Sequence, residues 1–89
     1  MNIIILDCNK MTSREIAYDY IEHICRFPDY FGHNLDALSD CLGECSNDVI
    51  VVLMNHEALE ENLGNYGNKL LKVFKEVAEE DYSYTLIVK

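Results

Sequence analysis

Lysine and arginine are scarce in this 89-residue sequence, which has 7 of them against 16 aspartates and glutamates and a formal net charge of -9. None lies between Arg26 and Lys69, although that stretch contains eight carboxylates. Nucleic-acid binding needs a basic surface that neutralises phosphate groups. The composition therefore argues against a nucleic-acid-binding protein and favours attraction to basic partners.

Long hydrophobic runs are also missing. The longest, IIIL and VIVVLM, are far shorter than the roughly 20 residues that a membrane-spanning helix requires, so we expect no membrane association. The segment MNIIILDCNK has no basic stretch ahead of a long apolar run, so we expect no signal peptide and a cytoplasmic location. In that reducing compartment we expect no disulfide scaffold from the four cysteines, which are Cys8, Cys25, Cys41 and Cys45.

Three β-branched apolar runs, at residues 3–6, 49–54 and 84–88, predict the strands of one parallel sheet. Segments of helical periodicity separate them, in the order strand, two helices, strand, two helices, strand. With 49% apolar residues and this length, the chain is expected to form a single domain over residues 1–89. The predicted fold is α/β, a three-stranded parallel sheet packed with about four helices.

Local signals delimit the first two helices. Thr12 and Glu15 have the spacing of a capping box at the start of the first helix, and Pro28 stops it. Asn34 is a good N-cap for the second helix, which Gly43 is expected to end. The expected buried faces follow helical spacing: Ile16, Ala17, Tyr20, Ile21 and Ile24 on the first helix, and Leu35, Leu38, Cys41 and Leu42 on the second.

The segment after the second strand predicts two further helices. Leu59 and Leu63 indicate a short third helix, and the sequence NLGNYGN that follows is rich in turn-forming residues. A fourth helix is predicted from apolar residues at helical spacing, namely Leu70, Leu71, Phe74, Val77 and Ala78.

An acidic pair lies near the start of the second helix. Asp36 and Asp40 share one helix face at i and i+4, where like charges repel by roughly a few tenths of a kcal/mol. Just before them are two adjacent aromatics, Tyr30 and Phe31, of which Phe31 is expected in the core. They are followed by Gly32, whose freedom to adopt a positive φ would let a partner approach the backbone. An exposed Tyr30 beside unpaired anions would indicate a recognition surface. The alternative is a solvated acidic face.

The motif PDYFGHNLDALSDCL, residues 28–42, resembles the barstar family of ribonuclease inhibitors. That family's pattern is Pro, an acid, two aromatics, Gly, any residue, Asn-Leu-Asp-Ala-Leu, any residue and Asp-Cys-Leu. The segment VFKEVAEE is similar to the family's last helix, and the order of strands and helices agrees over the whole chain. The resemblance implies a two-layer α/β fold and a non-enzymatic protein that blocks a small secreted ribonuclease, of guanyl specificity, inside the cell that makes it.

The resemblance also implies roles for individual residues. In the family, Asp40 would stand where a substrate phosphate sits among the nuclease's Arg, Lys and His, and Glu76 would be a supporting anion on the last helix. The residues matching the inhibitory loop and helix are Tyr30, Gly32, Asn34, Leu35, Asp36 and Asp40. The resemblance further implies a 1:1 complex with a basic nuclease and a monomer when free. Four positions depart from the family's pattern and bear on which nuclease is recognised: His33, Ser39, Gly43 and Cys45.

Two other functions fit parts of the sequence. Cys8 and Arg14 have the Cys-x5-Arg spacing of phosphatase loops, in which a thiolate at a helix N-terminus is the nucleophile. The loop contains no glycine, however, and backbone cradling of a phosphate favours glycine. An acidic binding module for another basic protein stays open as a third function.

No metal site or cofactor is expected from the sequence. No pair of cysteines has the two-residue spacing of common zinc sites. The nearest candidate ligands, His23 with Cys25 and Cys41 with Cys45, form no recognisable set, and Cys41 is more simply a core residue.

Overall fold

Three parallel strands form the sheet of the protein. This computed structural model describes residues 2–45, 48–81 and 83–89, and for Cys45 it describes the backbone alone. The strands are β1 (Asn2–Asp7), β2 (Val49–Met54) and β3 (Tyr84–Val88), in the order β1-β2-β3. Ile3 pairs with Ile50, and Val52 pairs with Ile87. The predicted strands and the predicted α/β fold are confirmed.

Four α-helices connect these strands within the described part of the chain. They are α1 (Arg14–Cys25), α2 (Leu35–Cys45), α3 (Glu57–Leu63) and α4 (Asn65–Glu80). A 3₁₀ turn, Cys8–Lys10, follows β1. None of the helices in the described residues combines the length and the apolar composition that crossing a membrane would need.

The described residues cover the sheet on one face, so the architecture has two layers. Side chains at alternate positions of the central strand, Val51 and Leu53, point into the core and are almost completely buried. On the opposite face Ile3 is 63% exposed and Ile5 is 54% exposed. The core between sheet and helices is built around large buried side chains, including Leu6, Met11, Ile21, Leu38, Leu59, Leu70 and Phe74.

The first helix differs from its prediction in its cap and in its buried face. Ser13, not Thr12, is the N-cap, because its side chain accepts a hydrogen bond from the backbone N–H of Ile16 at 3.2 Å. Ile16 is 49% exposed and Ile24 is 37% exposed, which contradicts their predicted burial. Ala17 and Ile21 are buried as predicted, and Tyr18 and Cys25 complete the buried face.

Glycine positions account for two further differences. The second helix continues past Gly43 to Cys45, so Gly43 does not end it. The segment predicted to be turn-rich lies largely within α4, and only Gly64, at φ 62°, separates α3 from α4. Gly67 is buried, and a Cβ there would lie 2.1 Å from the carbonyl oxygen of Leu59. A glycine at this position therefore lets α4 pack directly against the backbone of α3.

Candidate functional site

The loop between α1 and α2 separates its two adjacent aromatic rings. Phe31 is buried, with its ring centroid 5.1 Å from that of Phe27 and 5.8 Å from that of Tyr18. Tyr30 is 75% exposed. The prediction that Phe31 belongs to the core is confirmed, and the buried ring anchors the loop that presents Tyr30 to solvent.

Gly32 does not have a positive φ; in this loop the left-handed residues are Arg26, at φ 56°, which caps α1, and His33, at φ 51°. This corrects the expectation that Gly32 would supply the left-handed conformation. Gly32 still occupies a crowded position, since a Cβ there would lie 3.2 Å from Asn34 Nδ2 and 3.4 Å from the Cβ of Ala37. The absence of a side chain at Gly32 therefore allows the loop to turn closely onto the start of α2.

Asn34 caps α2, as the sequence predicted. Its Oδ1 accepts a hydrogen bond from the backbone N–H of Ala37 at 2.8 Å, and its Nδ2 donates one to the carbonyl oxygen of Gly32 at 3.1 Å. Its own carbonyl oxygen accepts from the N–H of Leu38 at 2.9 Å. One side chain thus fixes the loop and the first turn of the helix relative to each other.

The two faces of α2 have opposite chemistry. Leu38, Cys41 and Leu42 are buried, and Leu35 is half-buried against the same core. The opposite face carries the exposed residues Asp36, Ser39, Asp40, Gly43 and Glu44. Of the predicted site residues, Leu35 therefore contributes mainly to packing, while the two aspartates are presented to solvent.

A shallow concavity of about 230 Å³ lies between this face and the loop. Tyr30, Gly32, Asp40 and Glu44 are among the residues that line it. The hydroxyl of Tyr30 lies 3.4 Å from Glu44 Oε2, so the aromatic ring and the carboxylates border one surface. A larger concavity, of about 450 Å³, is lined by residues of α3 and α4 and shares no residue with this one.

Within the described residues, no ion pair joins Asp36 or Asp40 to a lysine, arginine or histidine. Glu76 differs from them. It lies on α4, which packs against α2, and its Oε1 is 3.7 Å from the Nζ of Lys72 in an exposed i, i+4 pair. Such pairs contribute only about 0.3–0.5 kcal/mol. The exposed carboxylates without a cationic partner among the described residues are therefore those of α2, whereas Glu76 is partly compensated by Lys72.

Glu44 is the member of this surface that the sequence analysis missed. Nothing in the sequence distinguishes it from the other exposed glutamates. Its position becomes evident because α2 extends two residues beyond Gly43, which places Glu44 one helical turn after Asp40. The helix therefore presents three carboxylates at successive i, i+4 positions: Asp36, Asp40 and Glu44.

The geometry at Cys8 does not suit a nucleophile. The side chain is fully buried, and burial, followed by the nearby Asp7 carboxylate, raises the pKa of Cys8 to about 11. The guanidinium of Arg14 lies over the ring of Tyr66, with Cζ 3.8 Å from the ring centroid. Cys8 is thus a neutral core thiol at neutral pH, and Arg14 packs on an aromatic ring.

These features define a class of protein, namely a small two-layer α/β domain with an acidic surface built on one capped helix and its preceding loop. The family described as Barstar (barnase inhibitor) matches residues 1–88, and this chain belongs to the barstar family. One relative is the "Putative ribonuclease inhibitor YrdF" of Bacillus subtilis (strain 168), which is 40% identical over 81 residues. The alignment covers 90% of this chain and 89% of that protein. The resemblance carried by the motif at residues 28–42 is confirmed.

Proposed function

We propose that this protein is a cytoplasmic, non-catalytic inhibitor of a small secreted ribonuclease, and that it blocks the basic active site of a guanyl-specific enzyme in a 1:1 complex. Membership of the barstar family and the name of the Bacillus subtilis relative, a putative ribonuclease inhibitor, support a ribonuclease inhibitor. The observation that carries the proposal is the face of α2, where Asp36 and Asp40 are exposed and have no cationic partner among the described residues.

Asp40 is proposed to occupy the subsite of a substrate phosphate. It borders the concavity beside Tyr30 and Gly32, so a cationic side chain of the partner entering there would meet a carboxylate and an aromatic ring together. The attraction between two opposite charges is stronger in the low dielectric of a buried interface than in water. It also depends on how well the two groups align as hydrogen-bond donor and acceptor. Asp36 and Glu44 extend the negative charge one turn to either side.

The inhibitory surface is proposed to be preformed. The loop is anchored by buried Phe31, and the helix start is fixed by the two side-chain hydrogen bonds of Asn34. A surface that is already ordered loses less conformational entropy on binding, which increases affinity without new contacts. The excess of carboxylates would also accelerate association with a basic enzyme through electrostatic steering.

The positions that depart from the family's pattern are proposed to tune which nuclease is bound. Ser39 is exposed between the two aspartates, and a Cβ placed at Gly43 would have no neighbour within 4 Å. Both positions therefore leave space on the helix face for bulkier partner side chains. The side chain of Cys45 lies outside the described residues.

The test is inhibition of RNA cleavage by a panel of guanyl-specific microbial ribonucleases, with binding followed by calorimetry. Stoichiometric inhibition of at least one member, with a binding ratio near 1:1, is the expected result. A basic protein without nuclease activity is the matched control for general acidic attraction, and a phosphate ester is the control for hydrolysis. Equal affinity for the nucleases and for the basic control protein would support the acidic binding module and contradict the proposal.

A further inference from the structure

A cluster of polar side chains joins the loop between α1 and α2 to α1. The ring of His33 faces α1, with Nε2 2.9 Å from Glu22 Oε1 and Nδ1 3.8 Å from Asp19 Oδ1. Asp19 and Glu22 are three residues apart on α1 and so share one face of that helix. One donor atom from each of the three side chains can be chosen so that all lie within 4.8 Å of one another.

The imidazole of His33 is held in place by its neighbours. Its ring stacks on that of Tyr18 at a centroid distance of 6.1 Å and an interplanar angle of 28°, and it lies 5.1 Å from the ring of Phe31. The backbone of His33 is left-handed, at φ 51°, and the side chain contacts Glu22 of α1. A ligand whose orientation is fixed by packing loses little entropy when it binds an ion.

We propose that His33, Glu22 and Asp19 form a binding site for a divalent transition-metal ion of the Zn²⁺ class. Zinc takes imidazole nitrogen and carboxylate oxygen at about 2.0–2.2 Å in tetrahedral geometry, so neighbouring donor atoms lie roughly 3.3 Å apart. His33 Nε2 is 2.9 Å from Glu22 Oε1, close to that spacing, whereas the 3.8 Å distance to Asp19 starts from the other ring nitrogen, so an ion bound through Nε2 requires the Asp19 carboxylate to turn towards Glu22. The side chain of Asp19 is 71% exposed and is free to rotate inward. The imidazole ligand favours Zn²⁺ over Mg²⁺ or Ca²⁺, which prefer all-oxygen sites.

The proposed site joins the inhibitory loop to α1. An ion held by all three side chains would clamp the loop that carries Tyr30 and Gly32, and any effect on a nuclease rests on the proposed function. Binding of the ion itself does not. A metal-free protein was expected from the sequence. The sequence gives no sign of this site, because Glu22 and Asp19 lie 11 and 14 residues before His33 and only the fold brings the three side chains together.

The experiment is a calorimetric titration of the full chain with Zn²⁺, in a Cys45→Ser background so that this thiol cannot take the ion. The test variant is His33→Asn, because asparagine tolerates the left-handed backbone while removing the imidazole. We expect one ion per wild-type chain, with affinity at least about ten-fold weaker in His33→Asn and in Glu22→Gln. In nuclear magnetic resonance spectra, the ring signals of His33 should shift on adding Zn²⁺.

The matched control is His23→Ala. His23 lies on α1 four residues after Asp19, so it offers a rival imidazole at i, i+4 spacing to the same carboxylate. Unchanged affinity in His23→Ala is expected. Three outcomes would overturn the proposal: no binding at millimolar Zn²⁺, equal binding by wild type and His33→Asn, or loss of binding in His23→Ala alone. No ribonuclease is present in the titration, so its failure is distinct from failure of the proposed function.

Discussion

The side chain of Asn34 accepts a hydrogen bond from the backbone N–H of Ala37 at 2.8 Å, and this contact sets the start of the acidic helix. The other side-chain atom of the same amide bonds the carbonyl oxygen of Gly32 at 3.1 Å. Because the loop and the helix meet at one residue, the position of Tyr30 relative to Asp40 depends on Asn34.

Asn34→Ala should therefore lower both stability and inhibition. Loss of an N-cap costs about 1 kcal/mol, within a range of about 0.5–2 kcal/mol. Urea denaturation followed by circular dichroism measures this change. Asn34→Asp is the matched control, since its carboxylate still accepts from Ala37 and favours the helix N-terminus. Equal stability of the alanine variant and the wild type would mean that the cap does not hold the loop.

Asp40→Ala should weaken binding to an inhibited ribonuclease by at least about 2–5 kcal/mol, mainly through faster dissociation, because it leaves partner cations buried and unpaired. That range comes from charge pairs in protein complexes, the barnase–barstar complex among them, and not from this structure. Folding should not suffer, since removing one member of a repelling i, i+4 pair leaves the helix as stable or slightly more stable. Association and dissociation rates in a salt series are the measurement.

Glu60→Ala and Glu61→Ala are matched controls for Asp40→Ala. Both residues are exposed on α3 and line the separate concavity of about 450 Å³. They should change mainly the salt-dependent association rate, and by a small factor. Equal losses at Asp40 and Glu60 would indicate diffuse acidic attraction, and the phosphate-mimicking role of Asp40 would have to be abandoned.

The features predicted correctly from sequence are those with strong local signals. The three strands are continuous β-branched runs, and Asn34 is a capping residue directly before a helical pattern. The predicted buried face of α1 was correct at Ala17 and Ile21 but wrong at Ile16 and Ile24, and it lacked Tyr18. Its burial depends on tertiary contacts: its ring meets that of Phe31, and its hydroxyl hydrogen-bonds the hydroxyl of Tyr66.

The part of the candidate site that could be predicted also depends on a local signal. Its family motif is contiguous in sequence, so the sequence identified Tyr30 and both aspartates as neighbours. Glu44 and the His33 cluster have no such signal. Glu44 joins the surface through the length of α2, and His33 meets Glu22 only because the loop folds back on α1.

Gly67→Ala should destabilise the protein although alanine is the better helix former. The new Cβ would lie 2.1 Å from the carbonyl oxygen of Leu59, so α4 must move away from α3. Overpacking of this kind costs about 1–3 kcal/mol or more. The matched control is Gly43→Ala, because Gly43 is also helical but a Cβ there would have no neighbour within 4 Å. This variant should gain up to about 1 kcal/mol in the free energy of unfolding. Thermal unfolding of both variants is the measurement, and a stabilised Gly67→Ala would contradict the close approach.

Cys8 should make the protein sensitive to alkaline pH. Burial raises the pKa of Cys8 from 9.0 to about 11 in the folded state, so folding favours the neutral thiol. The resulting stability is fully present below about pH 9 and is lost as the pH rises through about 11. Burial also raises the pKa values of Tyr18 and Tyr84, which adds to the loss at still higher pH.

Cys8→Ala isolates the contribution of the thiol. At pH 7 the variant should lose about 1 kcal/mol by creating a small cavity, while inhibition of the ribonuclease stays unchanged because Cys8 lies in the core. Between about pH 9 and pH 11, its thermal midpoint should fall less steeply than that of the wild type. Parallel pH profiles would show that folding does not raise the pKa of Cys8. A phosphate-ester hydrolysis that disappears in Cys8→Ala would instead revive the phosphatase, because it would require the thiolate that burial suppresses.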